Sequence, residues 1–157
     1  SWKYRLDIIN CKMSFDSVLQ YKIYTCPAQG GQYNHRRSLY FGTYRNKRVE
    51  QIAQIEAVVD LESESEAALI WKNDSRSEVE LVRIAVERRQ QTGDSWYPVR
   101  AFVLGDLFST DFIKASSGGM QGSKQYFDIG KLKVIDAKDL AAKLRGKTWE
   151  NYESLIS

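Results

Sequence analysis

The chain has 157 residues, 43% hydrophobic and 27% charged, the size and balance of one soluble domain that needs neither disulfides nor metal to build a core. Its formal net charge of +3 is too small to name a partner, so the placement of charge carries more information than the sum. No apolar run approaches the roughly 18 residues of a membrane span and Ser1–Tyr4 has no signal-peptide character, so a cytoplasmic protein is expected; a start on Ser suggests a domain cut from a longer polypeptide.

Taken in chain order, Gln20–Cys26 is β-rich and Pro27-Ala-Gln-Gly-Gly closes it as a turn. Ser38–Arg45 predicts a second strand, with Asn46-Lys47 as its turn and one helical turn over Lys47–Gln51. Ile52–Leu61 predicts a third strand, and Ala67–Trp71 is a short apolar run closed by Lys72-Asn-Asp-Ser. Ser77 followed by Glu80 is a capping-box signature, with acids early and Arg88 and Arg89 late, so Glu78–Gln91 is expected to be a helix despite four β-branched residues. Val99–Leu104, Phe108–Ala115 and Gln125–Ile129 follow as strands. Ala137–Arg145 is helical, with Asp136 as N-cap and Gly146 just past its end, and the tail adds a short helix around Trp149 and Tyr152. Six to eight short strands with two or three helices, without strand–helix alternation, predict a single α+β domain with a mixed or antiparallel curved sheet or small barrel.

Two segments carry chemistry. His35, Arg36, Arg37, Arg45, Lys47 and Arg48 fall within fourteen acid-free residues, interleaved with Tyr33, Tyr40, Phe41 and Tyr44. Cations for phosphates and rings for bases are what nucleic-acid surfaces use. Lys114–Lys124 is a glycine- and serine-rich loop bracketed by lysines, whose glycines permit close backbone approach to an anionic or planar ligand. It is not a nucleotide-hydrolase phosphate loop, because Ser123 separates Gly122 from Lys124 and Gln125 follows the lysine. Trp71, Trp96 and Tyr97 lie at strand ends and are candidates for a base-sandwiching cage, against the alternative that they pack the core.

Other chemistries are weaker. Cys11 and Cys26 have no paired spacing and His35 is the sole histidine, so neither a zinc site nor any cofactor is expected, and buried structural cysteines are preferred to a Cys26–His35 nucleophile. Asp60 followed by Ile70-Trp71-Lys72 places Ile where a metal-dependent nuclease needs its second carboxylate. Asp106, Asp111 and Asp128 flank the glycine loop and are candidates to converge with Lys124, or to serve as caps and turn residues.

The run Tyr40-Phe-Gly-Thr-Tyr-Arg-Asn-Lys-Arg-Val-Glu-Gln-Ile-Ala-Gln-Ile-Glu-Ala-Val-Val, with Phe102-Val-Leu-Gly-Asp-Leu-Phe-Ser-Thr-Asp-Phe later, resembles the rhythm of PUA-like barrels of the EVE, YTH and ASCH kind. The resemblance covers about residues 20–130 and implies a small barrel holding a modified or flipped base, as the specificity module of a larger restriction or RNA-processing protein.

The expectation is therefore a non-catalytic nucleic-acid-binding domain. Arg36, Arg37, Arg45, Lys47, Arg48, Lys114 and Lys124 would neutralise phosphates. Trp96, Tyr97 and Trp71 would stack on a base whose polar edge meets Asp111 and the loop at Ser117, Gly118 and Gly119. In this reading the loop is a mobile wall beside the pocket. The alternatives are a metal-dependent nuclease or nucleotide-processing enzyme using Asp106, Asp111, Asp128 and Lys124, and a protein-interaction module presenting the acidic run Asp60–Glu66.

Overall fold

The computed structural model describes residues 1–29 and 34–157. Gly30 and Gly31 of the expected turn, and Tyr33 of the basic segment, lie outside the described residues. Among the described residues the strands are β1 (Arg5–Asn10), β2 (Ile23–Pro27), β3 (Tyr40–Arg45), β4 (Arg48–Leu61), β5 (Ala67–Lys72), β6 (Val99–Leu104), β7 (Phe108–Ile113) and β8 (Lys124–Asp128). The helices are α1 (Phe15–Tyr21), α2 (Glu78–Thr92) and α3 (Ala137–Leu144), with 3₁₀ segments at Trp2–Tyr4, Gly130–Leu132 and Trp149–Leu155. The class is α+β with mixed pairing, since β1 runs parallel to β3 while the other ladders are antiparallel. No helix among the described residues is long and apolar enough to cross a membrane.

The chain divides into two compact units: Ser1–Phe15, Arg37–Gln54 and Asp106–Ser157 form the first, and Asp16–Arg36 with Ile55–Gly105 form the second. In the first, β1 lies between β3 and β8, and β4 pairs with both β3 and β7. A strand hydrogen-bonded on both sides and covered on both faces has no solvent face to mark with polar residues, and Leu6, Asp7, Ile8 and Ile9 are all buried. Leu6, Ile8, Val49, Ile52, Phe112 and Phe127 make the core with Ala137, Leu140, Ala141 and Leu144 of α3, whose three- and four-residue spacing lays one apolar stripe along the helix. Asp136 caps α3 by accepting from the Asp139 amide at 2.7 Å, and Gly146 follows it in the left-handed region at φ 77°.

Two local features set β3 against β4. A Cβ on Gly42 would stand 3.0 Å from Val49 Cγ1 and 3.3 Å from Ile8 Cγ1, both fully buried, so the strand pair closes only around a glycine. Asn46 and Lys47 both take positive φ, 52° and 61°, as a two-residue type I′ hairpin turn requires. The helical turn expected over Lys47–Gln51 is therefore corrected to strand: this turn commits Arg48 onward to pairing with β3, and Thr43 Oγ1 accepts the Gln51 amide at 3.1 Å where the register shifts.

In the second unit β6 lies between β2 and β4, and β4 also carries β5. Leu81 and Ala85 of α2 pack on Val59, Leu61, Val99, Ala101 and Val103. The β-branched load of α2 does not prevent a helix, because Ser77 accepts from the Glu80 amide at 3.2 Å and Gly93 ends the helix at φ 77°. Arg88 ties α2 to the sheet, its Nη1 donating to the Lys22 and Leu104 carbonyls at 2.8 and 2.7 Å. Across β4 and β6, Arg100 grips Asp60 with two bonds of 2.8 and 3.1 Å.

Candidate nucleic-acid interface

The glycine loop belongs to the first unit and is tied at several points. Lys47 Nζ donates to the Ser116 carbonyl at 2.5 Å, and the Lys114 amide donates to the Lys47 carbonyl at 2.9 Å. Lys114 Nζ donates to Ser116 Oγ and to the carbonyls of Ser117 and Gly118 at 2.8, 3.3 and 3.0 Å. Farther along, the Met120 amide donates to Tyr44 Oη at 3.0 Å and the Asn10 amide donates to the Ser123 carbonyl at 2.9 Å. Gly118 and Gly122 take φ of 79° and 77°, where a side chain would be strained, whereas Gly119 does not. The wall expected to be mobile is stitched to its surroundings, and two of the cations assigned to phosphate hold it.

The remaining expected cations of this unit also have local partners. Arg48 pairs with Asp111 at 3.0 Å, both side chains nearly half exposed, so the pair is screened and contributes little to stability. Arg45 donates to Glu50 at 3.0 Å and lies 3.4 Å from the Phe15 ring centroid; Arg37 sits 3.8 Å over the Trp2 ring. Lys124 opens β8 opposite Ile9 and has partners of its own. Lys47 and Lys114 thus hold the loop and Arg48 pairs with Asp111 on β7, while Arg37 and Arg45 serve the Trp2 and Phe15 neighbourhoods. Arg145 and Lys147 are unanticipated exposed cations; they flank Gly146, whose amide donates to the Asp111 carbonyl at 2.8 Å, and Arg145 donates to the Ser109 carbonyl at 2.6 Å.

Arg36, Trp71, Trp96 and Tyr97 belong to the second unit. Arg36 is exposed beside His35, whose ring meets Phe102 edge-on at 4.9 Å. Trp71 also stands edge-on to Phe102, at 6.4 Å. Trp96 and Tyr97 cover the buried Arg89, whose guanidinium lies 5.1 and 5.4 Å from their ring centroids and whose Nη2 donates to the Trp96 carbonyl at 2.5 Å. Within their unit these two rings are the walls of an arginine site.

The carboxylates do not assemble a metal centre: among the described residues no three of His, Cys, Asp and Glu are grouped to hold an ion. Asp111 is engaged by Arg48, and Asp128 Oδ1 accepts from the Gly130 amide at 2.9 Å, a turn role. Asp60 is held by Arg100, and the register sets Asp60 opposite Ala68 but Lys72 opposite Ala57, so the nuclease-like pairing of Asp60 with Lys72, disfavoured already by Ile70, is not formed. Burial pushes the Cys11 thiol up to about 12, against weaker lowering bonds from Ser14 and Tyr44, so this cysteine stays protonated and unreactive at neutral pH.

Beside the loop the first unit holds a pocket of about 260 Å³. Lys114, Ser116, Gln121 and Gln125 supply its polar atoms, Met120, Trp149 and Ile156 its apolar ones, and Glu150 and Glu153 its negative charge. Gln125 Nε2 donates to the Tyr126 carbonyl at 3.0 Å. Glu150 Oε1 accepts the Ala115 amide at 2.8 Å; partial desolvation, which raises its pKa, is outweighed by that bond and by hydrogen bonds with Ser116, leaving the carboxyl below the ordinary glutamate range. Trp149 is 4% exposed, packed at tilted and edge-on angles among Tyr44, Phe112 and Phe127, and its buried indole N–H has no acceptor among the described residues.

The sequence reading places the tail in a short helix around Trp149 without giving it a site. The segment is brought to the loop by the Ile113–Thr148 and Phe127–Ile156 bridges and started by a capping box in which Thr148 and Asn151 bond each other's amides at 3.2 and 2.9 Å. That Thr-Trp-Glu-Asn cap was the available signal. Comparison with protein-family models, curated proteins and solved structures gives no match to the chain.

Proposed function

We propose that the chain is a nucleic-acid-binding module in which the pocket beneath the glycine loop receives one base and the surrounding cations meet the backbone. One observation carries this reading: a pocket of about 260 Å³ that joins the carboxamides of Gln121 and Gln125 to the apolar surface of Met120, Trp149 and Ile156. Its volume falls just below the roughly 300–1,000 Å³ of clefts that enclose drug-sized ligands, which suits a single planar ring system. Gln121 and Gln125 can both donate and accept at a base edge, and Glu153 can accept from an exocyclic amine. Met120 and Ile156 offer apolar surface to the ring faces.

Lys114 lines the pocket and Lys47 is bonded to the loop at Ser116, both giving part of their donor capacity to it, while Arg48 and Lys124 add positive charge elsewhere on the first unit. A base extruded from a duplex or taken from a single strand would enter the pocket with its phosphates met by the cations outside it. The rhythm of Tyr40–Val59 and Phe102–Phe112 supports a PUA-like assignment and, with it, a role as the base-reading module of a larger restriction or RNA-processing protein.

Fluorescence polarisation with short single-stranded DNA and RNA oligonucleotides tests the proposal. Binding should weaken steeply between 50 and 200 mM salt. The Arg48→Ala, Lys124→Ala double variant should weaken all sequences alike and reduce the slope by about 0.7 per lost phosphate contact on a single strand. Gln125→Ala should alter base preference and leave the slope unchanged. No binding at 50 mM salt, or a base preference indifferent to Gln125→Ala, would overturn the proposal.

A further inference from the structure

In the second unit, β5 has the sequence Ala-Ala-Leu-Ile-Trp-Lys and among the described residues pairs with β4 alone, so its other edge lies open. Edge strands of folded proteins are usually blunted by proline, by lysines or by charges directed inward, because an open row of amides and carbonyls recruits another strand. Here the only charge in the strand is the terminal Lys72, whose ammonium donates to the Arg76 carbonyl at 2.8 Å. Beside this edge α2 packs on β5 and leaves a groove of about 460 Å³ lined by Ala67, Ala68, Leu69, Glu78, Val79 and Val82. The groove is shallow because its floor is alanine, and Val79, 79% accessible, gives it an exposed apolar point.

Charge selects the occupant. The connection from β4 into β5 carries Glu62, Glu64 and Glu66, all exposed, and Glu78 lines the groove. The neighbouring cation of α2, Arg83, is paired with Glu87 at 2.9 Å. A second copy of the chain, pairing edge to edge, would offer four carboxylates only the already engaged Lys72 from its β5. Nucleic acid would be repelled. We infer that the β5 edge and the β5–α2 groove dock an extended basic peptide, which adds a strand to β5, sets a small apolar side chain into the groove and places Lys or Arg against Glu62–Glu66 and Glu78. This inference stands on the second unit and does not depend on the base pocket.

The test uses the whole chain and two labelled heptapeptides, Lys-Lys-Val-Thr-Val-Lys-Lys and Glu-Glu-Val-Thr-Val-Glu-Glu, read by fluorescence anisotropy at low salt with ¹⁵N chemical shifts to locate the contact. The basic peptide should saturate the protein, bind about tenfold or more tightly than the acidic one, and shift Ala67–Leu69 and Glu78–Val82. Methylating alternate backbone nitrogens of the peptide should abolish binding, since strand addition needs its amides. The exposed substitutions Glu66→Lys with Glu78→Gln should weaken the basic peptide about five- to tenfold without changing the circular dichroism spectrum. Equal binding of both peptides, no saturable binding, shifts confined to other residues, or a wild-type dimer that Val79→Glu dissociates would each overturn the inference.

Discussion

Arg89→Ala is expected to lower the unfolding free energy by about 3 kcal/mol, the scale set by losing a buried partner and leaving a cavity. The arginine is 1% exposed although it sits in the last turn of α2. Its guanidinium donates to the Trp96 carbonyl at 2.5 Å and to Asp94 Oδ2 at 3.4 Å, under the rings of Trp96 and Tyr97. Asp94 is 53% exposed, so its attraction is weakened by solvent and is not the main term. The cost arises from the aliphatic stem, the rings that lose their packing partner and the carbonyl that loses its donor. Arg89→Met restores the volume but not the donor and should recover about half of the loss. Urea denaturation of both variants checks this, and a change below about 0.5 kcal/mol for Arg89→Ala, the range of inert surface substitutions, would contradict it.

Trp149→Ala is expected to cost about 3–5 kcal/mol, as truncations of large buried aromatics do. The indole lies between Tyr44 and Phe127, at 5.5 and 5.6 Å between ring centroids, with Phe112 at 6.1 Å. Trp149→Phe behaves differently. It keeps most of the ring contacts and removes a buried N–H that has no acceptor, and an unsatisfied buried donor costs about 1–3 kcal/mol. The smaller ring and the deleted donor therefore offset each other, and stability should change by less than about 1 kcal/mol. Oligonucleotide affinity should nevertheless fall for Trp149→Phe, because the indole lines the pocket and the smaller ring alters its wall. Denaturation and polarisation measured on the same variant separate the two roles.

Much of the fold is legible in the sequence where two signals agree. α2 and α3 are bounded by Ser77 and Gly93 and by Asp136 and Gly146, and caps at both ends outweigh the ambiguous valines of α2. β3, β6 and β7 stand out because β-branched and aromatic residues are fenced by turn residues. β1 is invisible to alternation, being covered on both faces and carrying the buried Asp7 in its middle. α1 has only seven residues, and it ends at Lys22 with φ 54°, so no glycine announces its end and Gln20 and Tyr21 read as strand. The early start of β4 follows from the Asn46–Lys47 turn, where neither residue is the glycine that usually marks such a hairpin.

The site divides along different lines. Density of charge along the chain singles out Lys47 and Arg48, and the glycine loop singles out Lys114, but neither signal tells a lysine that faces a ligand from one that holds a loop, because both roles use the same flexible side chain. It also selects Arg45 and Arg37, which satisfy themselves on nearby aromatic rings. Gln121, Gln125 and Trp149 carry no charge and are separated by up to 28 positions of sequence, counted from 121 to 149. Only the folding of the tail onto β7 and β8 gathers them.

The most direct test is a ¹⁵N-edited titration of the side-chain resonances with a single-stranded oligonucleotide at 50 mM salt. Base capture predicts that the Trp149 indole N–H and the Gln121 and Gln125 carboxamide signals move together and saturate at one affinity, while the Trp2 indole stays still. Oligonucleotide binding that leaves Trp149, Gln121 and Gln125 unmoved, or no binding at all, would contradict the account.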